Sequence, residues 1–208
     1  MEGDFNSMKV IGICGSSGSG KTEALRILGS DGMPVLNCDE VSRQVMQPGS
    51  ACCRELCEAF GKDILLADGT LDRKKLFELT FHDSEKHRAL GHITHFYILR
   101  AIDAWLDAHQ AASAVVIEAP LLFESGLDKR CDGIILITAD RTGKIARLAA
   151  RDGLSADDAA LRLSRQLDDT YLASRCDFVV ENNGSLEQFA EKLREAVGKL
   201  LASPEGKK

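Results

Sequence analysis

The stretch Gly15-Ser16-Ser17-Gly18-Ser19-Gly20-Lys21-Thr22 lies between an apolar run, residues 10–14, and an amphipathic segment that begins at Glu23. This order predicts a buried strand, a glycine-rich loop and a helix in immediate succession. Glycines suit such a loop because phosphate oxygens approach backbone N–H groups closely, and Cβ atoms would block that approach. The sequence therefore predicts a phosphate-binding loop at the first strand-to-helix junction.

Two side chains at the end of this loop have the chemistry that a bound triphosphate needs. Lys21 can reach the outer phosphates as a point charge, and the Thr22 hydroxyl suits the coordination shell of a phosphate-bound Mg²⁺ ion. The positive end of the following helix adds a field of the same sign. The alternative is a glycine-serine turn that precedes a lysine by chance, which the full spacing argues against.

Composition indicates a globular protein without a nucleic-acid surface. The chain has 208 residues, of which 44% are hydrophobic, and a formal net charge of −6. This length suits a single domain, residues 1–208, with an insertion or a lid. Because the net charge is negative, anionic ligands must be held by loop amides and individual arginines.

The seven cysteines and the hydropathy pattern favour a cytoplasmic protein. The cysteines lack the regular spacing of a disulfide-stapled secreted domain, and no second cluster accompanies Cys53 and Cys57 as a zinc site would require. No run is apolar enough to cross a membrane, and residues 1–4 lack the features of a signal peptide. Both chain ends look frayed. We expect reduced thiols, no membrane partner, and a monomer or small homo-oligomer.

Acidic residues follow two further predicted strands. Asp39 comes just after a short strand at residues 34–37, and Glu118 ends the apolar run 113–118. Because the carboxyl ends of parallel strands share one sheet edge, both carboxylates are expected beside the phosphate loop. Asp39 could orient or deprotonate an acceptor hydroxyl, or it could only cap a helix. Glu118 could bind Mg²⁺ directly or through water.

Two helical regions are predicted outside the core, which comprises about residues 8–40, 113–140 and 176–202. Residues 41–110 exceed a simple crossover helix and predict an acceptor-binding insertion, whose arginines could hold a phosphate or be solvated. Residues 141–170 predict an arginine-rich hairpin with the character of a lid.

In the predicted lid, Arg147 and Arg151 share one helical face, so they either flank an anion or are solvated. After the last strand, Asn182 could meet a nucleotide base, or it could belong to a turn before a helix that Ser185 caps. Phe123, which follows the strand ending at Glu118, could contact a ligand or pack in the core.

The order of these features resembles the dephospho-CoA kinase family over nearly the whole chain. The resemblance rests on the glycine loop, Asp39 and Arg43, Gln-Pro-Gly at 47–49, Asp-Gly-Thr-Leu at 68–71 with Arg73, Pro-Leu-Leu-Phe-Glu at 120–124, the lid arginines, and Asn-Asn-Gly at 182–184. It implies an α/β architecture, the P-loop kinase fold, with a parallel sheet of about five strands flanked by helices, a helical substrate-binding insertion and a helical lid. It also implies phosphorylation of the ribose 3′-hydroxyl of dephospho-CoA with ATP and Mg²⁺, the last step of coenzyme A synthesis.

The resemblance further implies roles for individual residues. The catalytic residues would be Lys21, Asp39 and Arg147. The nucleotide-binding residues would be Gly15, Ser17, Gly18, Ser19, Gly20, Lys21, Thr22, Glu23, Arg147 and Asn182. The residues that bind dephospho-CoA would be Asp39, Arg43, Arg73, His95, Leu122, Phe123 and Glu124. The residue chemistry described above, rather than the resemblance, assigns Thr22 and Glu118 to Mg²⁺.

The chain also departs from the family pattern. Asn37 replaces an acid, Phe96 replaces a proline after His95, Ser16 and Ser17 replace a glycine and an apolar residue, and Glu118 stands where Asp is common. Two rival functions remain: another small-metabolite kinase, acting on a nucleoside or nucleotide, and a nucleotide-dependent switch. Residues 120–124 distinguish the first rival, and a switch would leave the helical insertion unexplained.

Overall fold

The computed structural model describes residues 8–203, which form two compact units. Most of the predicted frayed ends, residues 1–7 and 204–208, lie outside the described residues. Residues 8–37 and 109–203 belong to the first unit, and residues 38–108 form the second.

In chain order, the helices and strands are β1 (Lys9–Cys14), α1 (Lys21–Ser30), β2 (Val35–Asn37), α2 (Cys38–Val45), α3 (Ala51–Phe60), α4 (Arg73–Phe81), α5 (Ser84–Ala108), β3 (Ala114–Glu118), β4 (Gly133–Thr138), α6 (Arg141–Asp152), α7 (Ala156–Ser164), α8 (Asp169–Ala173), β5 (Phe178–Glu181) and α9 (Leu186–Ala202). Short 3-10 turns occur at Lys62–Ile64 and Leu127–Arg130.

The first unit is built on a five-stranded parallel sheet with the order β2-β3-β1-β4-β5. All of β3 is buried, as its apolar run predicts for a central parallel strand. Ile11 and Ile13 point to the face covered by α1 and α9, where Leu28 and Phe189 complete the core. The predicted fold class is thus confirmed.

Helix α9 is fixed at both ends. Ser185 caps its start in a capping box with Gln188, as the sequence predicts. Near its end, the Lys9 ammonium donates hydrogen bonds to the carbonyl oxygens of Leu200, Leu201 and Ser203. These bonds join the first residue of β1 to the last turn of α9.

The second unit is helical, with its own core of Cys52, Leu56, Ile64, Leu76 and Ile93. Ser50 caps α3 and Asp72 caps α4. The helical region begins at Cys38, three residues before the predicted insertion, so Asp39 lies inside α2 and not at an N-cap position. Within residues 8–203, no helix combines the length and apolar character that crossing a bilayer requires.

Candidate active site

The glycine-rich loop joins β1 to α1, and three of its glycines have conformations that side chains rarely adopt. The φ angles are +145° at Gly15, +78° at Gly18 and +110° at Gly20. A Cβ at Gly20 would lie 2.2 Å from Asn182 Nδ2, and one at Gly18 would lie 2.5 Å from the Lys144 carbonyl oxygen. The loop conformation therefore requires glycine at these positions.

Polar groups of the loop are suited to an anion. Helix α1 begins at Lys21, and its N-cap, Gly20, has no side chain to bond the N–H groups of the first turn. Ser19 is fully buried, and its Oγ finds no hydrogen-bond partner within residues 8–203. Lys21 Nζ lies 3.2 Å from the Ser16 carbonyl oxygen, which folds this side chain back over the loop.

Two of the predicted nucleotide-binding residues belong to helix α1. Thr22 is exposed on the first turn of α1. The Glu23 carboxylate accepts hydrogen bonds from Arg26, the shortest of them 2.6 Å, and these bonds hold the pKa of Glu23 below its usual value. This carboxylate is thus directed along the helix surface.

Arg147 and Asn182, which are far apart in sequence, meet at the loop. Arg147 Nη1 lies 3.2 Å from the Gly18 carbonyl oxygen, and Nη2 lies 2.9 Å from that of Asn182. Asn182 Nδ2 donates to the Ser19 carbonyl oxygen at 2.9 Å. A guanidinium group of α6 is therefore placed beside the loop that is predicted to hold phosphates.

Arg151 differs from Arg147 in its partner. It pairs with the adjacent Asp152, which also accepts a hydrogen bond from Arg162 of α7 at 2.7 Å. The hydrogen bonds from Arg151, with the charge of Arg162, hold the pKa of Asp152 below its usual value. Arg151 therefore needs no anion to offset the charge of Arg147.

The segment after α7 contacts the loop through residues that the sequence did not single out. The Gln166 carboxamide accepts from the Ser17 N–H and donates to Ser17 Oγ, both at 2.8 Å. Asp169 Oδ1 accepts from Ser16 Oγ at 3.1 Å, and Oδ2 accepts from Lys144 Nζ at 2.6 Å. Sequence offers no local signal for these bonds, since Ser17 and Gln166 are 149 positions apart.

The two departures from the family pattern at strand ends form one pair. Asn37 and Glu118 are register partners on β2 and β3, and Asn37 Nδ2 donates to Glu118 Oε2 at 2.9 Å. Glu118 is only 3% exposed. The amide thus holds in place a buried carboxylate at the sheet edge where the loop leaves β1.

The three substrate candidates in residues 120–124 have different environments. Leu122 is buried beside Gly12, whereas Glu124 is exposed. The half-buried Phe123 ring stacks on the guanidinium of Arg175, 4.1 Å from the ring centroid, and Arg175 also pairs with Asp128 at 3.2 Å. Leu122 therefore packs in the core, and Phe123 belongs to a charged cluster.

Within the second unit, a cavity of about 610 Å³ lies between helices. Its lining includes the predicted Arg43 and Arg73, together with apolar side chains such as Leu76 and Phe77. His95 is exposed on α5 and does not line this cavity, whereas His87, which the sequence did not single out, does. The cavity can therefore take a ligand with both apolar and anionic parts.

Comparisons with known proteins agree with this geometry. The model of the family described as dephospho-CoA kinase matches residues 9–188. The dephospho-CoA kinase of Corynebacterium glutamicum is 36% identical over 92% of this chain and 97% of its own. The solved Thermus thermophilus protein TT1252 has a TM-score of 0.82 at 33% identity, covering 94% of this chain and 99% of its own. A Campylobacter jejuni dephospho-CoA kinase has a TM-score of 0.67 at 24% identity, covering 92% of this chain and 96% of its own, and shows likeness of fold alone.

Proposed function

Because the chain belongs to the dephospho-CoA kinase family, we propose that it transfers the γ-phosphoryl group of ATP to the ribose 3′-hydroxyl of dephospho-CoA. The chain is an enzyme, and its product is coenzyme A. The observation that carries this proposal is the convergence of Lys21, Arg147 and Asn182 on the glycine-rich loop.

The nucleotide would be held by the loop and by the positive end of α1. Backbone amides from Gly18 to Thr22 would bind phosphate oxygens, and Lys21 would neutralise charge on the outer phosphates. Arg147, already at the loop through the Gly18 carbonyl, would act on the transferring group from α6. These groups supply fixed positive charge where negative charge develops, which is how phosphoryl transfer is catalysed.

Asp39 would act on the acceptor. It lies in the first turn of α2, two residues beyond Asn37, which ends β2. Its carboxylate would accept the 3′-hydroxyl proton as that oxygen bonds to the γ-phosphorus. The bond from this phosphorus to the β–γ bridging oxygen then breaks, and ADP leaves without a covalent enzyme intermediate.

Thr22 and Glu118 would hold Mg²⁺. Hydroxyl and carboxylate oxygens are the ligands that Mg²⁺ accepts together with substrate phosphates, so the donor chemistry fits. Glu118 is buried and oriented by the 2.9 Å bond from Asn37. When bound, Mg²⁺ supplies neutralisation of the phosphate oxygens.

The cavity of the second unit supports the acceptor assignment. Dephospho-CoA combines an anionic pyrophosphate with a long pantetheine arm, and the cavity combines Arg43 and Arg73 with apolar walls. We therefore propose that the two arginines bind the pyrophosphate. A cytoplasmic location and a monomeric or small homo-oligomeric state stay predictions.

Replacing Arg73 with alanine is expected to raise the KM for dephospho-CoA by about tenfold or more, because a charge-assisted contact to the acceptor is lost. The KM for ATP should change by less than about threefold, since the nucleotide is bound elsewhere. Steady-state kinetics with each substrate varied in turn measure both values. The exposed Arg88 on α5 does not line the cavity, so Arg88→Ala is the matched control. Equal effects of the two variants would remove Arg73 from the acceptor site.

The direct test of function is an acceptor screen. ADP release is measured with ATP, Mg²⁺ and one acceptor at a time: dephospho-CoA, nucleosides or nucleoside monophosphates. Release that depends on dephospho-CoA, with coenzyme A as the product, is expected. A preference for a nucleoside or nucleotide would identify the rival kinase, and slow hydrolysis without any acceptor dependence would identify a switch.

A further inference from the structure

The Gln166 side chain contacts both polar groups of one loop residue. Its Oε1 accepts from the Ser17 N–H at 2.8 Å, and its Nε2 donates to Ser17 Oγ at 2.8 Å. A carboxamide can accept and donate at once, so one side chain satisfies the backbone and the hydroxyl of Ser17 together. The second bond depends on a hydroxyl at position 17, where the family pattern has an apolar residue.

Gln166 belongs to a segment that is anchored to the loop a second time. Asp169, the first residue of α8, bonds Ser16 through Oδ1 and Lys144 of α6 through Oδ2. The segment 166–169 is therefore hydrogen-bonded to two consecutive loop residues, Ser16 and Ser17. Arg147 and Asn182 bind the carbonyl oxygens of the next two, so each residue from Ser16 to Ser19 has a long-range partner.

From this geometry, we propose that Gln166 is a positioning residue that holds the glycine-rich loop in its nucleotide-binding conformation. Because the Ser17 N–H is bonded to Gln166, the phosphate contacts are made by the backbone amides from Gly18 onward. The Gln166 bonds therefore persist when a nucleotide binds. This inference rests on the proposed function only in that the loop binds a nucleotide.

The physical reason is the entropy of the loop. Gly15, Gly18 and Gly20 give this segment many accessible conformations, and ordering them at the moment of binding would lower affinity. Two bonds from Gln166 order the loop in advance. Since Gln166 itself is exposed, its replacement leaves the core intact, and the effect should appear in binding rather than in folding.

The proposal is tested by titrating ADP with Mg²⁺ into the full chain by calorimetry. Gln166→Met keeps the side-chain length and loses both bonds, so the Kd for ADP is expected to rise about three- to tenfold. Ser17→Ala loses only the hydroxyl bond and should have a smaller effect. The double variant should match Gln166→Met, because the hydroxyl bond needs Gln166 as its partner.

One control variant and two further measurements separate a positioning role of Gln166 from a general structural role. Gln44→Met makes the same apolar replacement at an exposed site on α2 and should leave the Kd unchanged. The melting temperature of Gln166→Met should stay within about 3 °C of the parent. In turnover assays, the KM for ATP should rise in proportion to the Kd, while kcat falls less than about threefold.

Three results would overturn the proposal: an unchanged Kd in Gln166→Met, tighter ADP binding in that variant, or fully additive effects in the double variant. Tighter binding would mean that Gln166 competes with the nucleotide. Because ADP binding needs no acceptor, a failed acceptor screen with intact ADP binding would refute the proposed substrate and leave the role of Gln166 standing.

Discussion

Replacing Lys21 with alanine is expected to lower kcat by about a thousandfold or more, several kcal/mol of transition-state stabilisation. The ammonium group lies over the loop, 3.2 Å from the Ser16 carbonyl oxygen. From there it can stabilise the negative charge that moves from the γ-phosphate to the bridging oxygen during transfer. Water cannot replace a fixed positive charge at that position. The measurement is steady-state turnover of dephospho-CoA and ATP at saturating Mg²⁺.

Lys192 provides the matched control for Lys21. It is exposed on α9, and Lys192→Ala should keep turnover within about twofold of the parent. Lys21→Arg retains a positive charge but changes its shape, so it should recover only part of the lost rate. A Lys21→Ala protein with near-normal phosphotransfer would contradict the proposed use of the loop.

Replacing Asp39 with asparagine is expected to lower kcat by about a hundredfold to ten-thousandfold, since the amide cannot accept the hydroxyl proton. Asparagine keeps the shape of the side chain, so KM for both substrates should change by less than about threefold. Steady-state kinetics, with equilibrium binding of ADP and of dephospho-CoA, measure the two effects separately.

Glu40 is the control for Asp39, because it is the next residue of the same helix and is also exposed. Glu40→Gln removes the same charge from the first turn of α2. The Glu40 side chain, however, points about 100° away from that of Asp39 around the helix axis. It should retain turnover within about threefold of the parent. Similar losses of turnover in both variants would indicate that the negative charge of the first turn of α2 matters, and not the Asp39 carboxylate in particular. Unchanged turnover in Asp39→Asn would exclude a catalytic role for Asp39.

The fold could be predicted from the sequence because its signals are local. The loop consists of eight consecutive residues between a strand and a helix, and its φ angles require the glycines that the sequence supplies. The apolar runs at β3 and β4 mark central strands because parallel strands are buried on both faces. Because β1 and β3 are parallel, Glu118 at the end of β3 lies at the same sheet edge as the loop that follows β1.

The partners of the site residues could not be predicted, because they come from distant parts of the chain. Asn37 and Glu118 each looked like a separate departure from the family pattern, yet they are 81 positions apart and bond to each other. Arg147 and Arg151 share one helical face, but tertiary contacts bring Arg147 to the loop, whereas Arg151 pairs with Asp152.

The salt bridge of Glu23 did have a local signal. Glu23 and Arg26 are three residues apart on α1, a spacing at which opposite charges pair on a helix surface. That spacing predicts the observed salt bridge, and a nucleotide contact of Glu23 stays a prediction. The place of His87 at the cavity had no such signal, because which turn of α5 borders the cavity depends on the packing of the other helices. The acceptor contact of His95 stays a prediction.

The bonds from Lys9 to the last turn of α9 have a practical consequence. Strand β1 runs from Lys9 toward the loop, so Lys9 and Ser203 meet at the end of the sheet that lies opposite the loop. A short linker between them would close the backbone into a ring, and circular permutants could then be opened at exposed turns.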